Sequence, residues 1–145
     1  MSEPTVVYLN ETSVEPVLNQ TIRVKLNTYE QVPLNVTKGD ILNVTITVKD
    51  GGPIDFFILT GDQVKVIIDA LSGQNNRFQS YGRGRGLNIT HKMTEFSIVS
   101  DKDWYIFINN EGHIQDGARP LGDVLVQIDV EKVGFTKTDQ FSYPS

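Results

Sequence analysis

Leu42-Asn43-Val44-Thr45-Ile46-Thr47-Val48-Lys49 alternates apolar and polar residues without a break. Successive side chains of an extended strand point to opposite faces. Leu42, Val44, Ile46 and Val48 therefore share one face, and Asn43, Thr45, Thr47 and Lys49 share the other. A segment that hides one side and wets the other is a half-buried strand. Lys38-Gly39-Asp40 before it reads as a tight turn, and Asp50-Gly51-Gly52-Pro53 closes it with another.

The same period recurs on either side. In Thr21 to Leu26, Ile22, Val24 and Leu26 oppose Thr21, Arg23 and Lys25. Val124, Val126, Ile128 and Val130 alternate with Leu125, Gln127, Asp129 and Glu131 in a final strand. Ile54-Asp55-Phe56-Phe57-Ile58-Leu59 is apolar on both faces apart from Asp55, which predicts a central strand covered on both sides. Trp104-Tyr105-Ile106-Phe107-Ile108 is the strongest aromatic strand signal. Leu87 to Ile98 holds one or two strands. Gln74 to Gly86 is polar and glycine-rich, with weak strand character around Phe78 and Tyr81, and Asn109 to Leu121 reads as a long loop. The period changes once. Val64, Ile67, Ile68 and Leu71 recur at helical spacing, with Asp62 suited to the N-cap and Gly73 to the C-terminal stop. That predicts one short helix near 62–72.

About seven to nine short strands with a single helix predict an all-β fold, an antiparallel β-sandwich or jelly roll. Each strand has one apolar stripe, and two stacked sheets hide all of them at once. The domain divides into an N-terminal extension and first strand (1–19), the sandwich (20–132) and a C-terminal tail (133–145).

With 145 residues, the chain has the size of one ordinary domain and needs neither metal nor disulfide to hold its core. A net charge of −5 does not suit nucleic acid or an anionic membrane. Cysteine is absent, which excludes disulfide scaffolds, thiol catalysis and thiolate-held metals. His91 and His113 are the only histidines, so a multi-histidine metal centre is excluded too. No Gly-X-Ser-X-Gly elbow is present. Gly82-Arg83-Gly84-Arg85-Gly86 lacks the lysine and the strand–helix setting of a phosphate loop. No cofactor, metal or catalytic residue is expected.

The sequon Asn-X-Thr occurs at Asn10, Asn19, Asn35, Asn43 and Asn88, more often than ten Asn and twenty Ser plus Thr scatter by chance. The excess favours N-glycosylation of an exported protein. The bland alternative is strands rich in exposed threonine. Met1-Ser2-Glu3-Pro4 begins no signal peptide. The expectation is a protein displayed outside the cell or at its surface, with any membrane attachment through a preceding anchor segment. Export without cysteine points to an archaeal envelope, because secreted eukaryotic modules usually carry disulfides.

Three segments resemble the GOLD/emp24-like extracytoplasmic β-sandwiches: Val36 to Leu42, Gly52 to Leu59, and Trp104 to Asn110 followed by the strand to Val130. The prepeptidase C-terminal sandwiches have a similar grammar. The resemblance covers roughly residues 20–132. The coiled-coil helix and membrane tail of emp24 cargo receptors are absent, so cargo sorting is not carried over. What the resemblance implies is an interaction module without catalysis.

Charge segregation marks the candidate recognition residues. Between Ala70 and Thr94 there is no Asp or Glu, while Arg77, Arg83, Arg85 and Lys92 are cationic. Arginine forks suit carboxylates and phosphates, and Phe78 and Tyr81 offer stacking surfaces. The alternative is a solvated loop with weak surface pairs. Asp55, inside an apolar run, must be hydrogen-bonded if buried, and a bond to a neighbouring turn is the simplest solution. The other loop aspartates read as turn caps.

These features converge on a non-enzymatic cell-surface interaction module. Recognition would use an edge strand or the loops 74–86 and 109–121. Its partner would be another envelope protein, itself or a glycan. The alternatives are an assembly or stator-type component of an archaeal envelope or surface appendage, and a carbohydrate-binding accessory domain.

Overall fold

The computed structural model describes residues 6–73 and 78–142, with side chains for 13–73 and 78–134. The elements follow as β1 (Val6–Val24), β2 (Tyr29–Leu34), β3 (Ile41–Asp50), β4 (Ile54–Thr60), α1 (Gly61–Leu71), β5 (Arg85–Ile89), β6 (His91–Ser97), β7 (Trp104–Asn109) and β8 (Val124–Ser142). A single 3-10 turn, Gly82–Gly84, leads into β5.

Two four-stranded antiparallel sheets form, in the orders β1-β8-β3-β6 and β2-β7-β4-β5. The protein is an all-β sandwich with one short helix. Leu42, Val44 and Ile46 of β3 and Val124, Val126, Ile128 and Val130 of β8 face inward and are buried. They meet Ile54, Phe56 and Ile58 of β4 and Trp104, Ile106 and Ile108 of β7 from the opposite sheet. Full burial of each such side chain is worth about 1.5–3 kcal/mol, so this layer carries the fold. Both strand prolines inside the described sheets, Pro16 and Pro33, lie on edge strands, the setting in which sheets tolerate a missing N–H.

β4 is buried at every position. Its even residues face the opposite sheet. Phe57 and Leu59 face outward, where α1 covers them with Val64, Ile67 and Leu71. The helix begins at a capping box. Thr60 Oγ1 accepts from the Gln63 amide, and Gln63 Oε1 accepts from the Thr60 amide. Thr60, two residues before the expected span, is therefore the N-cap in place of Asp62. Gly73, at φ +85°, follows the helix as anticipated.

Other elements differ from the sequence reading. Leu26 lies beyond the end of β1 and is exposed. β2 was unexpected, because Pro33 interrupts its alternation. Phe78 and Tyr81 precede the 3-10 turn and belong to no strand. β1 and β8 pair from Val6↔Ser142 to Val24↔Val124, so β8 continues into the stretch expected as a C-terminal tail. No helix among the described residues is long and apolar enough to cross a membrane.

Candidate interaction groove

Strand alternation sets the first wall. On β5, Gly86 faces the interior, where a Cβ would come within 2.8 Å of the Phe56 ring. Arg85 and Leu87 therefore face the opposite side, toward α1. There they border a groove of about 810 Å³. Helix α1 contributes Gln63, Val66, Ala70 and Leu71. Phe57 of β4 lies at its base, with Phe78 edge-on against it (centroids 5.4 Å, interplanar angle 82°). His113, Ile114 and Gln115 of the long β7–β8 loop complete the lining. Both loops singled out in the sequence thus border one depression.

The loop wall is fastened from below. Asp55 is completely buried. Its Oδ1 accepts from the amides of Asn88 (2.9 Å) and Ala118 (2.8 Å), and its Oδ2 accepts from Asn109 Nδ2 (3.3 Å). One carboxylate therefore ties the end of β5 and the β7–β8 loop to β4. Burial pushes its pKa above the ordinary carboxylate value, against the lowering effect of these three donors. Gly117 is required beside it, since a Cβ there would lie 2.7 Å from Asp55 Oδ2. Asn109 Nδ2 also donates to the Gly112 carbonyl, and Asn109 Oδ1 accepts from the Glu111 amide. At the loop's other attachment, buried Asn110 donates from Nδ2 to the carbonyls of Val24 (3.1 Å) and Gly122 (2.9 Å). Its Oδ1 has no partner among the described residues. His113 to Gln115 lie between these pins.

The six candidate recognition residues separate. Arg85 and Phe78 line the groove. Tyr81 instead packs on Phe96 (5.5 Å) and Trp104 (5.7 Å), in contact with the sandwich core. Arg83 is exposed in the 3-10 turn, where its carbonyl accepts from Thr94 Oγ1. Lys92 is exposed on β6, in the other sheet. Arg77 lies outside the described residues. Sequence reasoning missed the helical wall, although Val66 falls off the buried stripe of α1 and is 42% exposed.

Asn19, Asn35, Asn43 and Asn88 are all exposed, and the side chain of Asn10, on β1, lies outside those described. Asn43 and Asn19 sit on the outer face of the β1-β8-β3-β6 sheet, in the rows of Glu131 and Asp129. Asn88 stands before the β5–β6 turn at φ +54°. None of the four lines the groove. Among the described residues, no group of three or more His, Asp or Glu could hold a metal ion. No family model and no curated protein matches the chain.

Proposed function

We propose that the protein is a non-enzymatic, extracytoplasmic interaction module that recognises its partner through the groove between α1, β5 and the β7–β8 loop. One observation carries this reading. Segments distant in sequence converge on one depression lined by both carbon and polar groups, and the described sequon asparagines all lie elsewhere. Glycans at Asn19 and Asn43 would cover the outer face of the other sheet and leave the groove open. The resemblance to extracytoplasmic sandwiches points the same way.

The test is retention of the purified chain on envelope fractions of its native host. Val66→Arg, which fills the groove, is expected to reduce retention at least about tenfold. Met93→Arg, on the outer face of the other sheet, is expected to leave it unchanged. Equal loss from both variants, or none from Val66→Arg, would remove the groove from the account.

The length of β1 favours a second reading, a stator-type or lattice component assembling with its own copies. β1 is an edge strand of 19 residues, and its side away from β8 has no partner strand among the described residues. Concentration-dependent self-association in sedimentation, abolished by a proline at Gln20, would favour this reading over the first.

A further inference from the structure

We infer that the groove takes an extended, apolar peptide segment carrying a carboxylate, which pairs with Arg85; this rests on the groove being the partner-binding surface.

Three observations select that occupant. The first is charge. Among the described lining residues, Arg85 is the only Arg or Lys, and no Asp or Glu joins it. The ion pairs among the described residues are Lys102–Asp62 and Lys132–Glu15, so Arg85 makes none with them. An exposed guanidinium beside carbon surface favours a planar anion, which it grips with two parallel hydrogen bonds.

The second is the base. Val66, 42% exposed, and the half-buried Phe78 and Leu87 contribute carbon surface above the buried Phe57 and Leu71. Apolar side chains would bury against this carbon without a desolvation penalty, whereas a sugar's hydroxyls would depend on the polar lining residues alone.

The third is the backbone. β5 is the outermost strand of its sheet, paired only with β4 among the described residues. Its outer N–H and C=O groups can add a further strand, and an added strand directs alternate side chains to the groove face. Gln63, Gln79 and Gln115 at the margin can bond a peptide backbone without imposing a charge.

Fluorescein-labelled decapeptides provide the test. Each carries two apolar residues at alternate positions and one Asp or Glu, and each has an Asn or Gln counterpart. Binding is read by fluorescence anisotropy, and the site is located by amide chemical-shift changes in the ¹⁵N-labelled chain. The acidic peptides should bind about tenfold more tightly than their amide counterparts at low salt. Their shifts should centre on Arg85 and Leu87. Arg85→Gln should equalise the two sets without changing the melting temperature, because Arg85 is exposed and unpaired with described residues.

Equal binding of both sets, discrimination that survives Arg85→Gln, or shifts centred on another face would each overturn the inference. Envelope retention separates the levels. If Val66→Arg abolishes retention while the peptides show no carboxylate preference, the groove remains the partner surface and the acidic peptide is rejected. If Val66→Arg has no effect on retention and no peptide binds, both fall. Binding of acidic mono- and oligosaccharides in place of peptides would reassign the occupant and reject the inference.

Discussion

Asp55 has no exposed surface, yet three donors reach its carboxylate. Two backbone amides share one oxygen, so Asp55→Ala leaves the buried Ala118 N–H and the part-buried Asn88 N–H unpaired. We expect a loss of about 2–5 kcal/mol in urea denaturation, since each orphaned donor costs about 1–3 kcal/mol. Asp55→Asn keeps the shared oxygen but turns an NH₂ toward Asn109 Nδ2, which is already committed to Gly112. Its loss should be smaller, about 1–2 kcal/mol. The pH dependence has a definite sign. The folded state holds the Asp55 proton more tightly than the unfolded chain does, because burial raises its pKa. The contribution of that raised pKa is fully present below the unfolded value, near 4, and is lost as pH rises through the folded value. Calorimetry from pH 3.5 to 8 should show wild type declining relative to Asp55→Asn across that window and running parallel above it. A rise of wild type relative to the variant would contradict burial as the dominant cause. Gly117→Ala tests the same joint from the opposite side. Its methyl meets the carboxylate, so hydrogen exchange at the Asn88 and Ala118 amides should accelerate even if the overall melting temperature moves little.

Among the elements, legibility followed locality. β3 and the inner half of β8 were readable because their inward residues alternate strictly, and all are buried except Val48, which is half-buried near the end of β3. β4 was readable for the opposite reason: an uninterrupted apolar run needs cover on both faces, and α1 supplies the second cover. The helix stripe was visible, but its cap was displaced by two residues, since Thr60 and Gln63 form a reciprocal pair that Asp62 does not. β2 was hidden by Pro33, whose acceptance depends on an edge position set by sheet order. The groove was only half legible. Its loops were marked by charge and glycine content, but its helical wall and the Asp55 fastening exist only after distant segments meet. Tyr81 shows the same limit, because nothing local distinguishes a stacking platform from a side chain packed on Phe96 and Trp104. One element-scale prediction concerns the long outer strands. β8 pairs with β3 only as far as Val133↔Ile41, and beyond Val14↔Val133 it pairs with β1 alone. A two-stranded ribbon is marginal in water. A chain trimmed to 13–134 should therefore keep its near-ultraviolet dichroism and lose less than about 2 kcal/mol. Global unfolding on trimming would assign the ribbon to the core.

For the whole molecule, the order of synthesis runs against the order of the sheet. β8 lies between β1 and β3, so the amino-terminal strand has no neighbour until residues 124–130 have been made. A nascent chain on the ribosome cannot close this sheet early; it must wait until β8 has emerged. Pairing β1 with β8 across the whole sandwich raises contact order, which places refolding in the millisecond-to-second range. Trp104, the single tryptophan, is buried with its indole N–H on the Ser100 carbonyl, and it gives stopped-flow fluorescence a reporter inside that slow step. Delayed closure leaves the chain unpaired through most of its synthesis, so any factor that grips it unfolded has until β8 emerges to do so.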